Sequence, residues 1–298
     1  MKKFSQEDII VEEEKSAINW YPGHMARAIR EIKERLKLVD IVLEIRDARA
    51  PLISSNPKLD EILLQKSRLI IFNKANLADP KMMALWQKWF EKMDTPFLFV
   101  DCFEKGQIKK VMAMSKSIVN ERKKAANPEN FKAKEKFKLM VIGLPNTGKS
   151  TIINQLANRN ATKTANRPGL TQVQQWINID QNLDLLDTPG VMPPSIANQT
   201  NALCLSAIHA IPDDILGEEQ PAKFLVEYFK ERNSQEFLNR YKLDSYAETS
   251  EETLGAIAQS RGCLKQKGLP DLERVYKLIL IDFRSGELGK CCFGTPPV

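Results

Sequence analysis

Four residues near the middle of the chain have the types and spacing to grip a phosphate: Gly143, Gly148, Lys149 and Ser150, within FKLMVIGLPNTGKST (137–151). They fit G-x-x-x-x-G-K-[ST]. Glycine lets backbone N–H groups curl around phosphate oxygens. The Lys149 ammonium reaches the outer phosphates, and the Ser150 hydroxyl is a hard oxygen ligand for Mg²⁺. Asn146, Thr147 and Thr151 complete the loop. The apolar run Leu139 to Ile142 leads into it as a strand, and a helix opening near Lys149 turns its positive end on the same anion.

A second apolar run, Leu183 to Leu186, ends in Asp187-Thr188-Pro189-Gly190. A carboxylate at that strand tip is where a Mg²⁺–water ligand belongs, and the Gly190 N–H could contact a γ-phosphate. Alone, the tetrapeptide would read as a turn. About forty residues after the phosphate loop it reads as the third motif of a GTPase. Between the two, Thr171 in RPGLT is the candidate to close over Mg²⁺ and γ-phosphate, a plain loop threonine being the alternative.

The base-recognition motif comes earlier in the chain. Asp40–Arg46 reads as a strand ending in the loop Asp47–Pro51, and the strand Leu69–Phe72 ends in Asn73-Lys74-Ala75-Asn76. GTPases carry N-K-x-D here: the Lys stem covers the base, and the Asp accepts from both guanine donors. Asn76 offers one acceptor and one mismatched donor, and an unmet desolvated donor costs roughly 1–3 kcal/mol. Weaker guanine affinity and better tolerance of xanthine are expected. Asp79 is either a substitute carboxylate or the start of the next helix. Phe97–Val100 ends in Asp101-Cys102, where backbone N–H groups would bind the base oxygen.

The motif order, base recognition before phosphate loop before DTPG, is a permutation of the Ras-like order. The expected fold is α/β: a circularly permuted P-loop GTPase with a mostly parallel six-stranded sheet, followed by a small all-helical domain. The divisions are a leader at 1–18, the GTPase domain at 19–200 and a helical domain at 201–298. A helix at about 106–121 and a linker at 121–138, with 7 basic and 3 acidic residues, join the old ends. The later helices are Asn201–Ala210, Pro221–Asn233, Glu236–Tyr241, Glu251–Gln259 and Asp271–Phe283.

Composition narrows the partners. The net charge of +6 is uneven: residues 1–200 carry 32 basic and 23 acidic side chains, 201–260 carry 5 and 11, and 261–298 carry 7 and 4. The basic regions suit a polyanion, with solvated surface lysine as the alternative. No run of eighteen apolar residues suggests a membrane span. Five cysteines show neither metal spacing nor a disulfide framework and suit a reducing cytosol. His209 reads as a structural or surface histidine.

NWYPGHMARA (19–28), DARAP (47–51), NKAN (73–76), GLPNTGKST (143–151), RPGLT (167–171), DTPG (187–190) and DFRSGELG (282–289) resemble the circularly permuted ribosome biogenesis GTPase A family over roughly residues 18–290. The resemblance implies a cytoplasmic GTPase using GTP/GDP and Mg²⁺. It implies binding to a late precursor of the large ribosomal subunit and its rRNA, with hydrolysis stimulated by that particle. DNA and membrane are not expected, and nothing suggests an obligate oligomer. Val191 stands where Ras-like proteins keep a water-orienting glutamine. By resemblance that role passes to His24, whose alternatives are helix capping or RNA contact. Asn146 matches the asparagine that coordinates K⁺ in potassium-activated GTPases, a polar loop residue being the alternative. Competing readings are an RNA-binding assembly scaffold with a weakened or xanthine-tolerant nucleotide site and, less well supported, an ATPase or nucleotide kinase.

Overall fold

Six strands, β1 (Ile41–Asp47), β2 (Arg68–Asn73), β3 (Phe97–Phe99), β4 (Phe137–Gly143), β5 (Gln175–Asp180) and β6 (Leu183–Asp187), form one sheet in the order β3-β2-β1-β4-β6-β5. All neighbours pair in parallel except β5 with β6. The computed structural model describes residues 23–63, 66–93, 95–129, 131–133, 136–157, 175–180 and 183–297. The leader at 1–18, RPGLT and Thr171 lie outside the described residues. Every position of β1 is buried, as are all but Lys138 of β4. Helices cover both faces of the parallel sheet, so β4 reads as an apolar run broken only by Lys138, whereas β1 also buries Glu44 and Arg46, paired at 2.6 Å.

Before and between these strands the helices are α1 (Gly23–Arg35), α2 (Pro57–Leu63), α3 (Pro80–Phe90), α4 (Gln107–Ala126) and α5 (Lys149–Ala157). After β6 come α6 (Gln199–Ala207), α7 (Asp213–Leu216), α8 (Glu219–Glu231), α9 (Gln235–Tyr241), α10 (Ser250–Arg261) and α11 (Leu272–Ser285). Local signals set their ends. Asp79 caps α3 ahead of Pro80, and Thr249 with Glu252 closes a capping box on α10. Helix α4 runs to Ala126, so the expected linker loses its first six residues. Lys123 and Lys124 sit in the last turn of α4, where cations meet the negative helix end. The short helix α7 and the edge strand β5 were not among the elements expected from the sequence.

Register brings the functional strand ends to one edge. Asp47 lies opposite Asn73, Ile45 opposite Gly143, and Val141 opposite Asp187. The base-recognition segment, phosphate loop and DTPG therefore all leave from the carboxyl edge, where open α/β sheets bind ligands.

Three apolar clusters hold the layers. One face of the sheet packs under α4 and α5 through Val111, Val119, Ile152 and Ile153. An aromatic cluster (Phe72, Trp86, Phe90) under α3 includes Cys292 from the end of the chain. The largest joins Ile32 of α1 and Val42, Met140 and Ile142 of the sheet to Leu225, Phe229, Ile279 and Phe283 of the helical array. The helices therefore share a core with the sheet. The last residues strengthen the join: the Cys291 N–H donates to the Leu77 carbonyl (3.2 Å), and the Asp79 N–H donates to the Cys291 carbonyl (3.1 Å).

A shared core predicts shared unfolding. Leu225→Ala should lower stability by about 2–5 kcal/mol. It should shift one common urea transition seen by both circular dichroism and tryptophan fluorescence. Separate transitions for the helical array and the sheet would contradict the shared core.

Candidate functional site: the nucleotide clamp

Asn73 and Lys74 reach across from β2 and hold the phosphate loop by its backbone. Asn73 Nδ2 donates to the Thr147 carbonyl (3.0 Å), and Lys74 Nζ donates to the Asn146 carbonyl (2.7 Å). The approach is close enough that a Cβ on Gly148, at φ +98°, would fall 2.1 Å from Asn73 Nδ2. Gly148 thus serves the joint between the two halves as well as the loop's own curl. Asn73 Oδ1 is buried with no hydrogen-bond partner among the described residues, which suits a wall that a ligand completes.

Lys74 is fixed in turn by a buried ion pair. Its ammonium lies 3.0 Å from Asp47 Oδ2, and Asp47 takes two side-chain bonds from Arg49, at 3.0 and 2.9 Å. Burial disfavours charge on Asp47, but Arg49 and Lys74 together outweigh it and hold the carboxyl well below its ordinary range. Arg49 also donates to the Phe283 carbonyl on α11 and lies 4.9 Å from the Phe283 ring centre. Sequence reasoning quoted Asp47 and Arg49 without giving them a role. Two opposite charges two positions apart at a buried strand end were the available signal.

Lys149, buried in the first turn of α5, donates to the Leu144 carbonyl (2.8 Å). Burial pulls its ammonium down to about 8, against the opposing pull of Asp187. Thr147 is buried and bonds back to Leu144 (3.0 Å), while Ser150 and Thr151 follow half-exposed on α5. Gly190 presses on the loop: a Cβ there would lie 2.8 Å from the Pro145 nitrogen and 3.0 Å from Lys149 Nζ. Val191 follows, buried, its N–H donating to the Gly143 carbonyl (3.2 Å) and its carbonyl accepting from Asn56 Nδ2 (2.9 Å). An apolar side chain there cannot orient water.

Asn146 sits at φ +56°, and its Nδ2 donates to the His209 carbonyl beyond α6 (2.9 Å). His209 itself is at φ +66°, lies 3.7 Å from Asp213 and is half-buried. Burial, helped by Arg284, lowers its pKa. Asp213 is bound by Arg284 of α11 at 2.9 and 2.6 Å. Nothing in the sequence marked His209 as a neighbour of the phosphate loop.

The base side is less uniform. Asn76 lies exposed in the single turn Ala75–Leu77. Asp79 caps α3, Oδ1 accepting from the N–H groups of Lys81 (2.7 Å) and Met82 (3.1 Å). The helix-start alternative for Asp79 is therefore the one observed. Asp101 Oδ1 accepts from the Phe103 N–H (2.9 Å), and Cys102 is buried, its thiol pushed up to about 11 by burial and by Asp101. His24 falls in the first turn of α1; its side chain lies outside the described residues.

The donors fit Mg²⁺. Ser150 and Asp187 are hard oxygen ligands beside the loop, and no group of three His, Cys, Asp or Glu side chains among the described residues makes a protein-only cage. Mg²⁺ typically uses one or two carboxylates together with substrate phosphates. No described helix is long and apolar enough to cross a membrane.

A permuted sheet whose base-recognition strand clasps its phosphate loop defines a circularly permuted P-loop GTPase. A family model described as a 50S ribosome-binding GTPase matches residues 138–240, and a ribosome biogenesis GTPase A from Bacillus cereus is 37% identical, with 94% of each chain covered. The chain belongs to the ribosome biogenesis GTPase A family. It is similar to the Thermotoga maritima protein of that name (30% identical, 94% of this chain and 95% of that one). It is also similar to a mitochondrial ribosome-associated GTPase 1 of Mus musculus (31% identical, 91% and 88%). Among solved structures it resembles the GNP-bound YlqF of T. maritima, with TM-score 0.63 and 28% identity over 91% of this chain and 98% of that one.

Removing one member of the buried pair should be severe. Asp47→Asn leaves Arg49 and Lys74 without their counter-ion and should lower stability by about 3–5 kcal/mol at neutral pH. The folded pKa is depressed, so the stabilisation is full above about pH 4 and is lost as pH falls through the folded value. The gap between wild type and variant in urea unfolding should therefore narrow in acid. Equal stability at neutral pH would contradict this role.

Proposed function

We propose that this GTPase is an assembly factor acting on a late precursor of the large ribosomal subunit, and that the particle stimulates its hydrolysis. In this reading residues 19–200 hold and hydrolyse GTP, while 201–298 carry the nucleotide state to rRNA. The observation that carries the proposal is the wiring between clamp and helices. Asn146 donates to the His209 carbonyl, and Arg49 to the Phe283 carbonyl. The names of the relatives supply the ribosomal context.

Mg²⁺ held by Ser150, Asp187 and Thr171 would neutralise charge on the β- and γ-phosphates. Lys149 would grip the same oxygens from α5, and the Gly190 N–H would sense the γ-phosphate. Asn73, Lys74, Asn76 and the backbone at Asp101 and Cys102 would hold the base. Buried Val191 cannot position water, so another group must. His24 is the proposed water-positioning residue, since an imidazole near neutral pH can orient or deprotonate water. A K⁺ ion at the Asn146 carboxamide oxygen would add positive charge beside the phosphates. The protein would act as a monomer in the cytoplasm.

Phosphate release should be measured with and without large-subunit precursors, in K⁺ and in Na⁺. Stimulation by large-subunit particles should approach the 10³–10⁵-fold range of other activated GTPases. Small subunits should have no effect. Lys149→Ala should abolish turnover, and His24→Ala should remove most of the stimulation while leaving nucleotide affinity intact. Turnover indifferent to the particle, with particle binding intact, would favour a scaffold instead.

A further inference from the structure

Asn76 occupies the position that reads the base, and the structure closes the route by which a neighbouring carboxylate could replace it. Asp79, the nearest acid in sequence, is held at both ends. Its side chain caps α3 through Lys81 and Met82, and its backbone N–H is tied to Cys291. Asp101, just past β3, turns Oδ1 back onto Phe103. Asn76 itself is exposed, and its carboxamide makes no hydrogen bond among the described residues, so both its ends remain available to a ligand. Lys74, two residues earlier and at φ +61°, is anchored to Asn146 and Asp47. The turn carrying Asn76 therefore starts from a fixed point.

A carboxamide presents one acceptor and one donor side by side, whichever way it is flipped. The corresponding edge of guanine presents two donors, N1–H and the 2-amino group. One of them meets the Asn76 oxygen and the other faces an N–H. Xanthine has N1–H beside a 2-oxo acceptor, so it satisfies the oxygen and the nitrogen of Asn76 together. Hypoxanthine has N1–H beside a bare C–H and makes one bond without a clash.

Resting on the GTPase reading of this same site, we propose that Asn76 sets the base preference toward xanthine nucleotides, with hypoxanthine intermediate and guanine weakest. Guanine nucleotides remain ligands through the phosphate loop and Lys74. The structure thus assigns a specificity-determining residue and a substrate class, the 6-oxopurine nucleotides lacking a 2-amino group.

Titration calorimetry with GDP, IDP and XDP on the full chain and on Asn76→Asp tests this. The variant should fold normally, because Asn76 is exposed and unbonded, and an unchanged melting temperature checks it. The wild type should bind XDP about 5–150-fold more tightly than GDP, the worth of one unmet donor. Asn76→Asp should reverse the order, since a carboxylate accepts from both guanine donors and repels the xanthine 2-oxo group. A wild-type XDP affinity equal to or below that for GDP overturns the proposal, as does an XDP-to-GDP ratio unchanged by Asn76→Asp. Those results leave the nucleotide site standing. Failure of all three nucleotides to bind removes the GTPase reading together with the proposal.

Discussion

Two hydrogen bonds from consecutive residues to consecutive carbonyls, Asn73 to Thr147 and Lys74 to Asn146, hold the pocket together. They join segments that the permuted chain order places far apart, adding side-chain contacts to the register that β1 sets by pairing with both β2 and β4. Their donors are rigid for physical reasons. Asn73 is buried at a strand end, and Lys74 is pinned by Asp47, which Arg49 neutralises in turn. A buried charge is tolerable only when paired and hydrogen-bonded. The ion network is thus a condition of the clamp.

The same network reaches the helical array. Arg49 ends on the Phe283 carbonyl, Asn146 on that of His209, and Arg284 secures the segment around His209 by bonding Asp213 and the carbonyls of Ser206 and Ala207. The phosphate loop therefore contacts the segment after α6 directly, above a core that sheet and helices share. Permutation makes this geometry available, because the chain leaving DTPG runs straight into α6.

The sequence made the strands and the phosphate loop legible for different reasons. Buried parallel strands are largely apolar, so Phe137–Gly143 stands out with only Lys138 interrupting it. Ile41–Asp47 stands out by its opening run Ile41–Leu43, although it also buries Glu44, Arg46 and Asp47. The loop is a contiguous pattern, G-x-x-x-x-G-K-[ST], that a single short stretch of sequence displays whole. Strand β5 was harder: it is an edge strand, with Trp176 and Asn178 exposed, and carries a mixed sequence. The basic residues ending α4 looked like linker because charge alone does not separate a solvated helix end from a tether. The links from Asn146 to His209 and from Arg49 to Phe283 span 63 and 234 positions, and no local pattern encodes them.

Hydrogen exchange of the full chain, with and without GDP, tests the clamp most directly. One pocket assembled from both segments requires GDP to protect the amides of residues 74–77 and of residues 144–150 together, over the same concentration range. Protection confined to 144–150, with 74–77 exchanging as in the free protein, would contradict it.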